Sequence, residues 1–170
     1  MNAIMISIHP EWCEKIASSK KTIEVRKTRP KIEPPFKCYI YCTDGNTIYQ
    51  SNADGIIRLY RKKAHKNFQH HTVMNGKVIG EFICDAIIRN CEMSNADVAE
   101  QHGCIHREAL LDYSNGKELF GWHITNLVIY DEPMQLKDFK RWKDWRYIYE
   151  RLTPLTRAPQ SWCYVEELRG

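Results

Sequence analysis

The sequence predicts an α+β fold, a mixed sheet of about five or six strands with helices packed outside it. Three observations carry this. The chain opens as strand, helix, strand: apolar residues at 3–8, a helical pattern from Pro10, and alternation again at 21–27. Residues 77–89 alternate over the length of a long strand, with Val78, Gly80, Phe82, Cys84, Ala86 and Ile88 on one face and Glu81 and Asp85 on the other. Two further stretches, 119–130 and 162–166, are rich in aromatic and branched residues.

Each element has its own local cause. Pro10 suits the first turn of a helix running to about Ser18 that buries Trp12, Ile16 and Cys13. On the strand at 21–27, Ile23 and Val25 share one face and Thr22, Glu24 and Arg26 the other, while Lys21 at the strand's mouth can swing its long stem over the polar face. Pro30, Pro34 and Pro35 impose an extended loop, and a strand at 37–43 follows, where Cys38, Ile40 and Cys42 alternate with Tyr39 and Tyr41. After the Asp44-Gly45 turn the pattern fades, and about 50–75 is expected to be an exposed insertion. Asn75-Gly76 leads into 77–89. Ser94 or Asn95 caps a short helix through Gln101, closed by Gly103, and Arg107 to Tyr113 forms another turn or two. Asp131-Glu132-Pro133 is expected to stop the strand at 119–130. A helix with Leu136 and Phe139 facing inward follows, and Trp142 to Tyr149 continues it or folds over a groove. No internal repeat or low-complexity tract appears, so residues 1–170 read as a single domain.

Composition narrows the class. At 43% hydrophobic and 27% charged, a chain of 170 residues can bury a sizeable core and is not disordered. The net charge of +4 is modest but uneven. Arg58, Arg61, Lys62, Lys63 and Lys66 form one basic stretch, and Lys137, Lys140, Arg141, Lys143, Arg146, Arg151 and Arg157 form another. Such stretches either follow a phosphate backbone or are solvated faces. The apolar start is too short for a signal peptide and no run is long enough to span a bilayer, so the expected compartment is the cytoplasm and no membrane partner is expected. Seven cysteines, odd in number and without a Cys-x-x-Cys pair, read as reduced thiols. Cys104 with His106, and the His70-His71 doublet, do not assemble four convergent ligands, so neither metal nor cofactor is expected.

The polar strand is the most informative stretch. Spacing alone is equally consistent with a site and with a surface ion pair of Glu24 and Arg26 beside a solvated Lys21. Lys21, Glu24 and Arg26 resemble the Gly-x-Lys-x-x-Glu-x-Arg segment of the ASCH domain family, with Ser19 in the glycine's place. Ile6-Ser7-Ile8-His9-Pro10-Glu11-Trp12, Val78-Ile79-Gly80-Glu81-Phe82, Gly121-Trp122-His123-Ile124 and Pro159-Gln160-Ser161-Trp162-Cys163-Tyr164 also look like larger phage and bacterial members. The resemblance is weakest at 50–75 and 90–118. It implies a PUA-like β-barrel whose cleft has Lys21, Glu24 and Arg26 on its floor, with Trp122, His123, Ser161 and Trp162 on its walls. His9, Glu81 and Asp85 are further site candidates.

That mix suits a nucleobase: indoles stack on a base, Gln160 and Ser161 pair with its polar edge, and Lys21 and Arg26 hold phosphate or ribose. Trp122, Trp162 and His123 also read as ordinary core or satisfied residues. The leading expectation is a monomeric protein that binds RNA or a modified nucleoside. The alternative is a small hydrolase, because some relatives hydrolyse the amide of N4-acetylcytidine with a lysine, a threonine and a glutamate. Lys21 matches that lysine, but Glu24 occupies the catalytic threonine's place, leaving Thr22 as the nearest hydroxyl. Ribonuclease chemistry would draw on His9, His123, Lys21 and Glu24. A protein-interaction module is a third reading.

Overall fold

The structure, a computed structural model, describes residues 2–45, 47–51, 57–61, 72–141 and 152–168. Its backbone divides into two compact units, one of Met1–Glu14, Lys37–Glu81 and Val128–Gly170, the other of Lys15–Phe36 and Phe82–Leu127. Two long strands, β7 (Lys77–Ile88) and β8 (Phe120–Gln135), contribute to both.

In the first unit, β1 (Asn2–Ile8) runs parallel to β3 (Phe36–Cys42) and antiparallel to β11 (Trp162–Glu166). The register sets Met5 opposite both Tyr39 and Cys163, and Ala3 opposite Val165. Opposed residues share a sheet face, so these side chains meet in one core with Val78, Phe139 and Leu155. Tyr39 meets Phe139 edge to face at 4.9 Å, and its hydroxyl accepts the Leu168 N–H at 2.9 Å. The short strands β9 (Lys140–Arg141) and β10 (Thr153–Pro154) extend the order to β10-β9-β11-β1-β3-β7-β8. Gly80 of β7 lies so close to the Val128 carbonyl that no side chain fits there. A separate sheet holds β4 (Thr47–Ser51), β5 (Ile57–Arg61) and β6 (Thr72–Val73) in the order β5-β4-β6.

In the second unit, β2 (Ile23–Arg26) closes the order β7-β8-β2. Ile23 and Val25 pack with Cys91, Ala99, Leu110 and Leu119, beneath α2 (Ala96–Gly103) and α3 (Arg107–Ser114). Both helices end on a left-handed residue, Cys104 at φ 57° and Asn115 at φ 47°. The remaining helix, α1 (Pro10–Ala17), begins at its proline as expected and buries Cys13 and Ile16.

Several expectations need correction. Strands fall at all six predicted places, but neither unit's sheet is a closed barrel, and the described strands number more than five or six. The segment expected as an exposed insertion contains strands, because Thr47–Ser51 and Ile57–Arg61 pair antiparallel through the backbone without needing a run of apolar residues. Asp131-Glu132-Pro133 does not stop β8. A proline forfeits one ladder donor, yet its fixed φ is compatible with extended backbone, and the strand continues to Gln135. The helix expected around Leu136 and Phe139 is a single 3-10 turn, Leu136–Asp138, closed by a capping box between Gln135 and Asp138. Phe139 is buried as expected. Lys62, Lys63, Lys66, the His70-His71 doublet, Lys143, Arg146, Arg151 and the Trp142–Tyr149 stretch lie outside the described residues. Among the described residues no helix is long and apolar enough to cross a membrane.

Candidate functional site

The polar face of β2 is buried. Lys21 is 1% exposed, Glu24 6% and Arg26 8%, which excludes the solvated surface pair. Glu24 joins the other two: its Oε2 lies 3.4 Å from Lys21 Nζ and its Oε1 3.0 Å from Arg26 Nε. Lys21 Nζ also donates to the Gly103 carbonyl at 2.6 Å. That carbonyl belongs to the last residue of α2, at the negative end of the helix dipole, where an ammonium is favoured.

Burial holds the Lys21 pKa below the usual lysine value. Glu24 opposes this by charge and hydrogen bonding, and Arg26 adds to the depression, but burial is the largest influence. A lysine moved in this direction is a better proton acceptor than a solvated one.

Register defines the neighbours. Glu24 stands opposite Trp122 and Ile23 opposite His123, so strand alternation places Trp122 on the triad's face and His123 on the other. Trp122 is fully buried with its ring edge to face with Phe36 at 5.7 Å, so it packs as core rather than offering an open wall to a base. His123 Nδ1 pairs with Asp85 Oδ1 at 2.7 Å, both side chains partly exposed. Thr22 binds through its amide to the His102 carbonyl at 2.9 Å, and its hydroxyl lies 3.4 Å from His102 Nδ1.

With this geometry in place, comparison with known proteins is decisive on one point: residues 6–150 match the ASCH domain. The chain belongs to the ASCH domain family. Its fold is similar to the crystal structure of ASCH from Zymomonas mobilis, at 17% identity and a TM-score of 0.62 over 97% of this chain and 88% of that one. A serine-to-alanine mutant of the Zymomonas mobilis protein aligns with TM-score 0.63 at 17% identity, over 97% and 89% of the two chains. A tyrosine-to-phenylalanine mutant aligns with 0.58 at 17%, over 97% and 91%. At this identity the likeness concerns fold. No curated protein matches the chain.

The turn before β2 has one left-handed residue. Ser19 has φ 59°, the left-handed conformation that glycine adopts without penalty.

The other expected ASCH site residues fall in the first unit, each with partners of its own. Glu81 binds Lys37 at 3.0 Å and accepts the Tyr130 hydroxyl at 2.6 Å, with Glu167 3.7 Å from the same ammonium. His9 Nδ1 lies 3.1 Å from the Thr43 hydroxyl. The Ser161 carbonyl accepts the Ser7 amide at 2.9 Å, and Trp162 meets Tyr164 edge to face at 5.5 Å. Among the described residues no group of three or more His, Cys, Asp and Glu is placed to hold a metal.

Sequence reasoning missed Gly103, Tyr113 and Lys27. Tyr113 on α3 is 39% exposed, with the Lys27 ammonium 4.6 Å from its ring centre. Burial raises its pKa, and the charges of Arg26 and Glu24 both reach it, with opposite signs. Nothing in the pattern of residues 107–114 marks Tyr113, because its place beside Lys27 comes from where α3 packs.

Proposed function

We propose that this ASCH domain binds RNA or a modified nucleoside through the polar site of its second unit. The supporting observation is the buried Lys21–Glu24–Arg26 triad fixed to the Gly103 carbonyl, flanked by the partly exposed Tyr113 and Lys27. An arrangement held by burial and two ion pairs is preorganised, which limits the ordering cost of binding. Tyr113 offers a ring face for a base, and Lys27 and Arg26 offer charge for ribose or phosphate. His9, Glu81, Ser161 and Trp162 of the first unit and His123 of the second are each proposed as RNA contacts in their own right, while Trp122 is buried packing on the triad's face of the sheet.

Titration of single-stranded RNA and of free nucleosides tests the reading. Lys21→Ala and Arg26→Ala should each weaken binding by about 1–3 kcal/mol, and affinity for RNA should fall with salt. Tyr113→Ala changes an exposed ring and should weaken binding without unfolding the protein, checked by circular dichroism. Unchanged affinity in all three variants removes the triad from the binding site.

The lowered pKa of Lys21 favours a second reading, a hydrolase acting on an acylated nucleoside such as N4-acetylcytidine. Glu24 favours the charged form of Lys21 and so opposes this chemistry, but burial outweighs it. The nucleophile is the weaker part, since the Thr22 hydroxyl lies against His102. Incubation with N4-acetylcytidine, followed by chromatography for cytidine, decides between binding and turnover. Thr22→Ala should abolish any product formed. The same chromatography with an RNA substrate covers the ribonuclease alternative.

A further inference from the structure

The first unit carries a cavity of about 450 Å³ lined by Arg141, Thr153, Pro154, Leu155, Thr156 and Arg157. Arg141 of β9 stands directly opposite Thr153 of β10, so backbone pairing sets the guanidinium beside a hydroxyl. Leu155 is buried, and its amide donates to the Phe139 carbonyl at 2.8 Å, which anchors the wall between the two threonines to the core. Among the described residues no carboxylate belongs to the lining. Neighbouring Lys140 lies 3.9 Å from Glu166, whereas neither Arg141 nor Arg157 makes an ion pair among the described residues.

We infer that this cavity binds the phosphodiester backbone of single-stranded RNA. The inference rests on the reading that RNA is the partner and adds a second contact region to it. A guanidinium fork matches two oxygens of a phosphate, and threonine hydroxyls donate to the remaining acceptors. Pro154 and Leu155 give a sugar apolar surface to lie on. The volume falls within the range of roughly 300–1,000 Å³ typical of small-ligand sites, which admits a nucleotide unit but not a folded partner. Guanidinium and hydroxyl contacts made to phosphate position a strand without carrying sequence information, so binding here should be independent of sequence.

Fluorescence anisotropy with an end-labelled oligouridylate of about ten nucleotides, long enough for a non-specific single-strand site, tests this. The variants are R141A/R157A and R141K/R157K, each checked for an unchanged melting temperature, beside binding of an unphosphorylated nucleoside by calorimetry. R141A/R157A should lower oligonucleotide affinity roughly tenfold and reduce the slope of log affinity against log salt by about 1.4, for two lost phosphate contacts. R141K/R157K should keep the slope and lose part of the affinity, because charge remains and the fork does not. Nucleoside binding should be the same in all three proteins.

Wild-type affinity and slope in R141A/R157A would overturn the inference, as would competition by polyglutamate of matched charge as effective as that by unlabelled RNA. Nucleoside binding by the wild type without oligonucleotide binding overturns the cavity alone. Binding of neither overturns both the cavity and the reading of the triad.

Discussion

Lys21 donates to the carbonyl of Gly103, 82 residues away in sequence, and this 2.6 Å bond joins the segment leading into β2 to the end of α2. A Cβ at Gly103 would lie 3.3 Å from Val25 Cγ2 and 3.8 Å from Lys21 Nζ, so a larger residue there asks Val25 to shift by a few tenths of an ångström. The contact is made by a cation whose burial disfavours its charge.

That burial predicts a pH dependence of stability. With its pKa lowered in the folded state, Lys21 binds fewer protons than in the unfolded chain between its folded pKa and the ordinary value of 10.5. Stability contributed by this group therefore rises with pH across that window. Urea titrations of wild type and Lys21→Met at increasing pH should show the wild type gaining on the variant. A difference that stays flat would mean that Lys21 titrates alike in both states.

Glu24 is the shared partner of two cations, and both of its oxygens are engaged. Glu24→Gln leaves two buried positive groups uncompensated and should destabilise the fold by about 3–5 kcal/mol. It should also lower the Lys21 pKa further, since Glu24 is the main influence raising it. Adding Lys21→Met should recover part of the loss, so the double variant will be more stable than the sum of the single effects predicts. Denaturant melts of the four proteins, with lysine side-chain NMR for the pKa, check both claims.

The strand alternation of Ile23 and Val25 against Glu24 and Arg26 made the triad legible in the sequence, because a period of two is a local property. Its burial was not legible. Nothing between residues 19 and 26 reveals that Lys21 reaches the end of α2, and the partner it finds there is a backbone carbonyl, which carries no residue-type signal. Trp122 shows the converse: an aromatic in a site-like motif whose register is right and whose exposure is zero. Pro133 marks the limit of punctuation by residue type, since β8 passes through it. Strand positions came through because apolar alternation sets them, whereas closure into a barrel depends on pairings at the sheet edges, where the side-chain pattern is uninformative.

Ser19 offers a gain in stability. Its φ of 59° carries a left-handed penalty of about 1–2 kcal/mol for a residue with a Cβ. Glycine removes that penalty but adds roughly 0.4–1 kcal/mol of unfolded-chain entropy. Ser19→Gly should therefore stabilise by about 0.5–1 kcal/mol, read as a raised urea midpoint with an unchanged slope. Ser19→Ala keeps the Cβ and should gain nothing.

Thiol reactivity tests the packing around the site directly. All seven cysteines are free, six are buried, and Cys104 alone is partly exposed. Burial pushes Cys84 up to about 12, and Cys91 and Cys163 each up to about 11, so these groups stay protonated at neutral pH and lack the reactive thiolate. Stability from these thiols is present below the unfolded cysteine pKa and is lost as pH rises through the folded values, the opposite sense to Lys21. Cys104 follows Gly103 and its thiol donates to the Lys20 carbonyl at 3.2 Å, which places it beside the lysine of the triad. At pH 8, iodoacetamide should label one thiol quickly and the other six only as the protein unfolds, with mass spectrometry of the digest assigning the fast label to Cys104. A nucleoside bound at the triad should slow that label. Fast labelling that persists in Cys104→Ser would show that one of the buried cysteines opens to solvent, and the packing described around β2 and β8 would then have to be redrawn.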